Sequence, residues 1–283
     1  GDHAMLITCF SDIHNMLSML SMPTVLRRTV AQGVAENLRR FGPADLTLVG
    51  GDTVSDYPSY RHSGWLPRRN FLDLRGKLEQ ALAPGTRDGR ILYVAGNHDY
   101  ACGEGFREGY STCPYNSADY ADLMRRTLGP LPERDVCLGY SERLGRGAGA
   151  YLLGFHYEID GLDFYGLNFH PDDIYSHQGM LPGSVLRYSG EALVWLKHRL
   201  RETDPQGDRL TFVVSHLPPF RNRDPQNAAL LLEAYRGHRN VFHLFGDTHG
   251  IVRNGYTAQQ VYACRGGEAV CGQTRRSSRE WEE

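Results

Sequence analysis

Five short apolar runs, MLITCF, LTLVGG, RILYVAG, LTFVVSH and VFHLFGD, each break off into a polar or glycine-containing loop. A run of this length, rich in β-branched and aromatic residues, reads as a strand covered on both faces. Such strands must be sandwiched, so they restrict the chain to a layered architecture before any other feature is considered. Between them lie amphipathic stretches at residues 23–41, 70–82, 116–128, 190–201 and 225–235. The last carries Asp224 as N-cap, Pro225 at the first helical position and Gly237 after its end, which are the punctuation marks of a helix. Alternating strand and helix signals predict an α/β fold.

The middle of the chain follows a different rule. AYLLGFHYEIDGLDFYGLNFH alternates without helical period and turns at Asp160-Gly161, the pair that favours a type I′ hairpin. The segment after residue 250 repeats the habit, with turns at Asn254-Gly255 and Gly266-Gly267. An antiparallel section therefore joins the parallel one. Without a linker, repeat or low-complexity tract, residues 5–274 read as a single domain, 275–283 as a charged tail, and 1–4 as a remnant ahead of Met5.

Composition excludes several classes of function. With 41% hydrophobic and 23% charged residues over 283 positions, the chain is an ordinary globular one. A net charge of −2 supplies no field for nucleic acid or an acidic membrane. Lys77 and Lys197 are the sole lysines among 31 basic residues, so the arginine bias is chain-wide rather than a binding patch. No apolar run approaches a membrane span and none has the layout of a signal peptide, which predicts a soluble, cytoplasmic protein. Of the six cysteines, Cys9 reads as a buried thiol. Cys102 with Cys113 and Cys264 with Cys271 are pairings open to an oxidising compartment, with reduced thiols the favoured reading.

The chemistry sits at the strand ends. Asp12, His14 and Asn15 follow the first run in SDIHN, Asp52 the second in GGDT, Asn97, His98 and Asp99 the third in GNHD, His216 the fourth in VVSHLPP, and Asp247 with His249 the fifth in GDTHG. In open α/β sheets, ligands bind outside the carboxyl ends of strands, so these side chains should converge. Asp, His and Asn together suit two divalent metals about 3.5–4 Å apart, whose repulsion a bridging carboxylate offsets. Asp52 is the candidate bridge. Neutral imidazole and amide ligands leave such metals acidic enough to lower the pKa of water toward about 7, which yields a hydroxide nucleophile.

The ordered set D-x-H, G-D, G-N-H-D, a strand-end His and G-D-x-H, running from Asp12 to His249, resembles the calcineurin-like metallophosphoesterase superfamily. The resemblance implies an αββα sandwich of four layers, two mixed β-sheets flanked by helices. It implies a first metal held by Asp12, His14, Asp52 and His249, and a second by Asp52, Asn97, His216 and Asp247. The ions implied are Mn, Fe or Zn, with Mg as an option. His98 resembles the family's phosphate-contacting or proton-donating histidine, oriented by Asp99, with Asn97 beside them in the catalytic set. Asn15, Arg221 and Arg223 are candidate phosphate contacts.

Two departures from the family pattern refine the expectation. The family's usual G-H-x-H is G-D-T-H here, so Asp247 stands where an imidazole is expected and shifts the site toward harder metals. GDTVSDYPSY and GNHD also lack the arginine and glutamate of the protein Ser/Thr phosphatases. The expectation is a phosphoesterase for small-molecule esters, with diesters ranked above monoesters. A phosphomonoesterase, a protein-phosphatase-like enzyme and a non-catalytic metal-binding scaffold stand as alternatives. Tyr57, Trp65, Arg68 and Arg107 in two long loops suit a base or aryl group, or serve as ordinary loop anchors. His170, Asp172, Asp173 and His177 mimic another metal site, but capping and turn roles are the favoured reading.

Overall fold

A computed structural model of the protein describes residues 5–12, 15–16, 43–55, 76, 79–80, 82–100, 114–142, 150–170, 172–173, 186–219, 222, 224–247 and 262–265. The strands in chain order are β1 (Ile7–Phe10), β2 (Asn15–Met16), β3 (Leu46–Gly50), β4 (Val54–Ser55), β5 (Ile91–Val94), β6 (Val136–Gly139), β7 (Tyr151–Ile159), β8 (Leu162–Leu167), β9 (Thr211–Ser215), β10 (Val241–Phe245) and β11 (Tyr262–Arg265). The α-helices are α1 (Asn97–Tyr100), α2 (Pro114–Leu128), α3 (Gly190–Thr203) and α4 (Pro225–Tyr235).

All five apolar runs are strands. Strands β1, β3 and β5 form a three-stranded parallel sheet in the order β1-β3-β5, and six strands form a second sheet in the order β11-β10-β9-β8-β7-β6. The larger sheet is mixed: β8, β9 and β10 run parallel, while β6, β7 and β11 pair antiparallel. The smaller one is parallel throughout its described strands, so two sheets are found as expected but one of them is mixed. A short parallel ladder, β2 with β4, sits beside the β1 and β3 ends.

The hairpin between β7 and β8 turns at Asp160 and Gly161, with φ of 52° and 83°. Positive φ at both central residues is what a type I′ turn requires. Helix α4 starts on Asp224, whose side chain accepts from the backbone N–H of Gln226 and Asn227. Gly237, two residues after its end, has φ 90°.

The two sheets pack face to face through β3 against β9 and β5 against β8, while α3 covers β6, β7 and β8 and α4 packs on α3. Leu46, Leu48, Tyr93, Phe155, Phe164 and Phe245 are fully buried between these layers, each contributing about 1.5–3 kcal/mol of hydrophobic stabilisation. Of the predicted helical stretches, residues 23–41 lie outside the described residues, and Gly76, Glu79, Gln80 and Leu82 of 70–82 are helical. Cys9 and Cys137 are free thiols, and burial pushes them up to about 12 and about 11. The other four cysteines' side chains lie outside the described residues. No helix among the described residues is long and apolar enough to cross a membrane.

Candidate metal centre

Three strands deliver an aspartate in the same unusual conformation. Asp12 after β1, Asp52 after β3 and Asp247 after β10 have φ of 56°, 51° and 63°. The left-handed region is uncommon for residues with a Cβ, and Asp is among those that tolerate it best. It lets a chain reverse out of a strand in one residue while keeping a carboxylate at the turn. Non-glycine residues held there tend to mark functional sites.

The turns are laced to one another. The Asp12 N–H donates to the Gly51 carbonyl at 3.0 Å, and the Asp247 N–H donates to Asp12 Oδ2 at 3.0 Å. Ser11 Oγ donates to the same oxygen at 2.5 Å. Asp99, wholly buried in α1, accepts from Thr53 N–H at 3.0 Å, Thr53 Oγ1 at 2.8 Å and Gly96 N–H at 2.8 Å. Its carboxylate thus ties the loop after β3 to the loop after β5. Gly96 has to be glycine, because a Cβ there would collide with the Asp52 carboxylate and backbone N. At Gly51, with φ 88°, a Cβ would lie 2.7 Å from His216 Nδ1.

His216 enters from the other sheet, immediately after β9. Its Nδ1 lies 2.8 Å from the Gly50 carbonyl, which can only accept, so Nδ1 carries the hydrogen and Nε2 faces the carboxylates. Nε2 is 3.2 Å from Asp52 Oδ2 and 3.7 Å from Asp247 Oδ1. The ring is steadied by Phe169, edge-on at 6.2 Å between centroids. Burial pushes the His216 pKa down, but the carboxylates of Asp52, Asp12 and Asp247 outweigh it and raise it well above the ordinary imidazole value.

Asp12, Asp52 and His216 each offer one donor atom, and these atoms all lie within 4.8 Å of one another among three buried residues. Burying like charges this close is unfavourable unless a cation compensates them. The field that holds a proton on His216 also attracts a divalent cation, and the two compete for the Nε2 lone pair. The donor set of carboxylates and imidazole fits a borderline to hard metal. Asp247 lies at the rim, with its side chain 19% exposed.

Asn97 is half-buried at the first position of α1, and the backbone of His98 follows it. The side chains of His98 and Asn15, and all of His14, His249, Arg221 and Arg223, lie outside the described residues. The structure therefore brings Asp12, Asp52, His216 and Asp247 together, with Asn97 on the adjoining turn. Asp172 and Asp173 serve other partners. Asp172 accepts from Ser141 Oγ and the Glu142 N–H, and Asp173 pairs with Arg187, which also binds Asp224. His177 lies outside the described residues.

Several supporting residues escape a motif reading. Asn168 accepts from the Ala95 N–H at 2.8 Å and donates to the Leu152 carbonyl at 2.8 Å, stitching the β5 end to β7. Ser11, Thr53 and Ser215 sit beside motif residues and were legible as neighbours, whereas Phe169 and Asn168 carry no sequence signal beyond their place after β8.

The chain is similar to a solved structure of Haemophilus influenzae NAD nucleotidase at 15% identity and a TM-score of 0.41, with 89% of this chain and 39% of that chain covered. It thus spans well under half the length of that protein. No curated protein matches the sequence. Residues 5–250 match the family model described as calcineurin-like phosphoesterase, and the chain belongs to that family.

Proposed function

We propose that the protein is a metal-dependent phosphoric ester hydrolase with a dinuclear centre that acts preferentially on phosphodiesters. The observation that carries this reading is the buried meeting of Asp12, Asp52 and His216, contributed by both sheets, with their donor atoms within 4.8 Å of one another. Asp52 would be shared by both ions. Asp12, with His14 and His249, would hold one ion, and Asn97, His216 and Asp247 would hold the other. When bound, the metals supply Lewis-acid polarisation of the phosphoryl group and acidify water to provide the nucleophile.

The protein's own groups then do the positioning. The Gly50 carbonyl fixes the His216 ring so that Nε2 is the ligating nitrogen. Asp99, locked by Thr53 and Gly96, holds α1 and so the peptide that carries Asn97 and His98. His98 donates a proton to the leaving oxygen, with Asp99 setting the geometry of that turn. Asn15, Arg221 and Arg223 are assigned to the non-bridging phosphate oxygens.

The preference for diesters follows from charge. Three carboxylates facing two divalent ions would leave a net charge of about +1 before hydroxide binds, a field that favours a monoanionic diester over a dianionic monoester. Asp247 is the third of these carboxylates. The test is to assay the metal-stripped protein with Mn, Fe, Zn or Mg against bis-p-nitrophenyl phosphate and p-nitrophenyl phosphate side by side. The expected result is metal-dependent turnover with the higher kcat/KM on the diester. A preference for the monoester would replace the diester reading, and metal binding without turnover of either ester would make the protein a scaffold.

A further inference from the structure

Behind His216 lies a chain of hydrogen bonds that no ligand role accounts for. His243, in the middle of β10, is wholly buried. Its Nδ1 is 2.7 Å from the Tyr235 hydroxyl on α4, and its Nε2 is 2.7 Å from Ser215 Oγ at the end of β9. Ser215 Oγ is in turn 2.8 Å from the Leu217 carbonyl oxygen, and the Tyr188 hydroxyl is 2.6 Å from the same oxygen.

Counting hydrogens gives every bond a direction. The Leu217 carbonyl can only accept, so Ser215 and Tyr188 both donate to it. Ser215 has one hydroxyl hydrogen and uses it there, so toward His243 it accepts, and the hydrogen between them belongs to Nε2. The Nδ1 lone pair then accepts from the Tyr235 hydroxyl. Burial pushes His243 down to about 3, which keeps the ring neutral at ordinary pH, and the hydrogen bonds then select the tautomer.

The polar chain ends on the residue that follows His216. Strand β9 stops at Ser215, so the peptide bearing His216 leaves the ladder. Its carbonyl is held by the Gly246 N–H at 3.0 Å, and the next carbonyl, that of Leu217, is held by the two hydroxyls. We infer that His243 is a positioning residue: through Ser215 it fixes the Leu217 carbonyl, and with it the turn that aims His216 at Asp52 and Asp247. The inference rests on the proposed role of His216 as a metal ligand. It makes the aim of that ligand depend on the seating of α4, which supplies Tyr235 at the far end of the chain.

Ser215→Ala cuts the link with little change of volume. His243→Gln and His243→Asn divide the histidine's two functions, since Gln extends an N–H donor to about the Nε2 position whereas Asn reaches only as far as Nδ1. Tyr165→Phe is the control, because it removes from β8 of the same sheet a hydroxyl bonded to Thr203 at the end of α3, away from the site. The probe is Mn(II) alone, titrated calorimetrically into the metal-stripped full chain, alongside kcat and KM for bis-p-nitrophenyl phosphate. Groups bonded directly to a ligand change metal affinity 10–100-fold, so one step further out Ser215→Ala and His243→Asn should weaken Mn(II) binding by about three- to tenfold. Both should lower kcat more than they raise KM, His243→Gln should recover most of the loss, and Tyr165→Phe should match the wild type.

The tautomer is read independently of metal and turnover, from histidine ¹⁵N spectra of the metal-stripped wild type, where His243 should carry its hydrogen on Nε2. Ser215→Ala and His243→Asn binding Mn(II) as tightly as Tyr165→Phe, or a hydrogen on Nδ1 instead, would overturn the inference. A wild type that binds no Mn(II) would instead remove the ligand role of His216 and the positioning role with it, while the spectrum still reports the hydrogen-bond chain.

Discussion

The role proposed for Asp52 combines two demands that few side chains meet together, a left-handed backbone and a bridging negative charge. Asn shares the conformational tolerance and lacks the charge, so Asp52→Asn separates them. The variant should keep the wild-type circular dichroism spectrum. It should also lose Mn(II) affinity and phosphoesterase activity by more than about a hundredfold if the proposed ligand role holds, because a ligand outweighs the 10–100-fold effect of the groups that surround ligands. Wild-type turnover in metal-controlled assays would remove Asp52 from the mechanism. His243 supports a second prediction, about pH. Its pKa is lowered from 6.5 to about 3 in the folded protein, so the unfolded chain binds the extra proton first. The stability from keeping the ring neutral is present above pH 6.5 and is lost as pH falls toward about 3, by about 1.4 kcal/mol per unit. Urea titrations between pH 7 and 4 should show a shallower decline for His243→Gln than for the wild type.

Helices and strands convey their bounds to sequence inspection with unequal clarity. Helix α4 begins and ends where Asp224, Pro225 and Gly237 predict, because caps are local chemistry. Asp224→Ala removes two backbone hydrogen bonds at once and should destabilise the protein by about 1 kcal/mol, measured by urea denaturation. An unchanged midpoint would mean that packing on α3, not the cap, holds the first turn. The candidate metal ligands are legible for a similar reason. Asp12, Asp52, Asn97, His216 and Asp247 all fall where an apolar run breaks off, and a strand end is a pattern that one chain displays by itself. Asn168 and His243 are of another kind. His243 alternates with apolar neighbours inside VFHLF, and nothing local separates it from a core residue. Its partnership with Ser215 exists because β10 pairs in parallel with β9, with His243 opposite Val213. That register belongs to the tertiary fold, as does the contact between Asn168 and the β5 end. The parallel direction of β1, β3 and β5 shows in their continuous apolar runs, whereas their order within the sheet does not.

At the scale of the molecule, the centre lies on the seam between two sheets. Asp12, Asp52 and Asn97 follow strands of the smaller one, and His216 and Asp247 follow strands of the larger. The sheets are otherwise joined by apolar packing and by a few polar stitches such as Asn168. An ion bound by carboxylates of one sheet and an imidazole of the other is a cross-link present only in the folded state, so it stabilises the whole assembly by mass action. At Mn(II) a hundred times its dissociation constant the gain is about 2.7 kcal/mol. For a fold of this size each kcal/mol moves Tm by about 2–4 °C, so calorimetry should find a rise of about 5–10 °C, reversed by chelator. Asp52→Asn should abolish the rise, since it breaks the bridge. His216→Ala should diminish it while leaving the smaller sheet's ligands in place, because the larger sheet would then grip the ions only through the residues proposed after β10, Asp247 and His249. A rise of wild-type size in both variants would place the stabilising ion elsewhere on the surface and leave the seam to apolar packing alone.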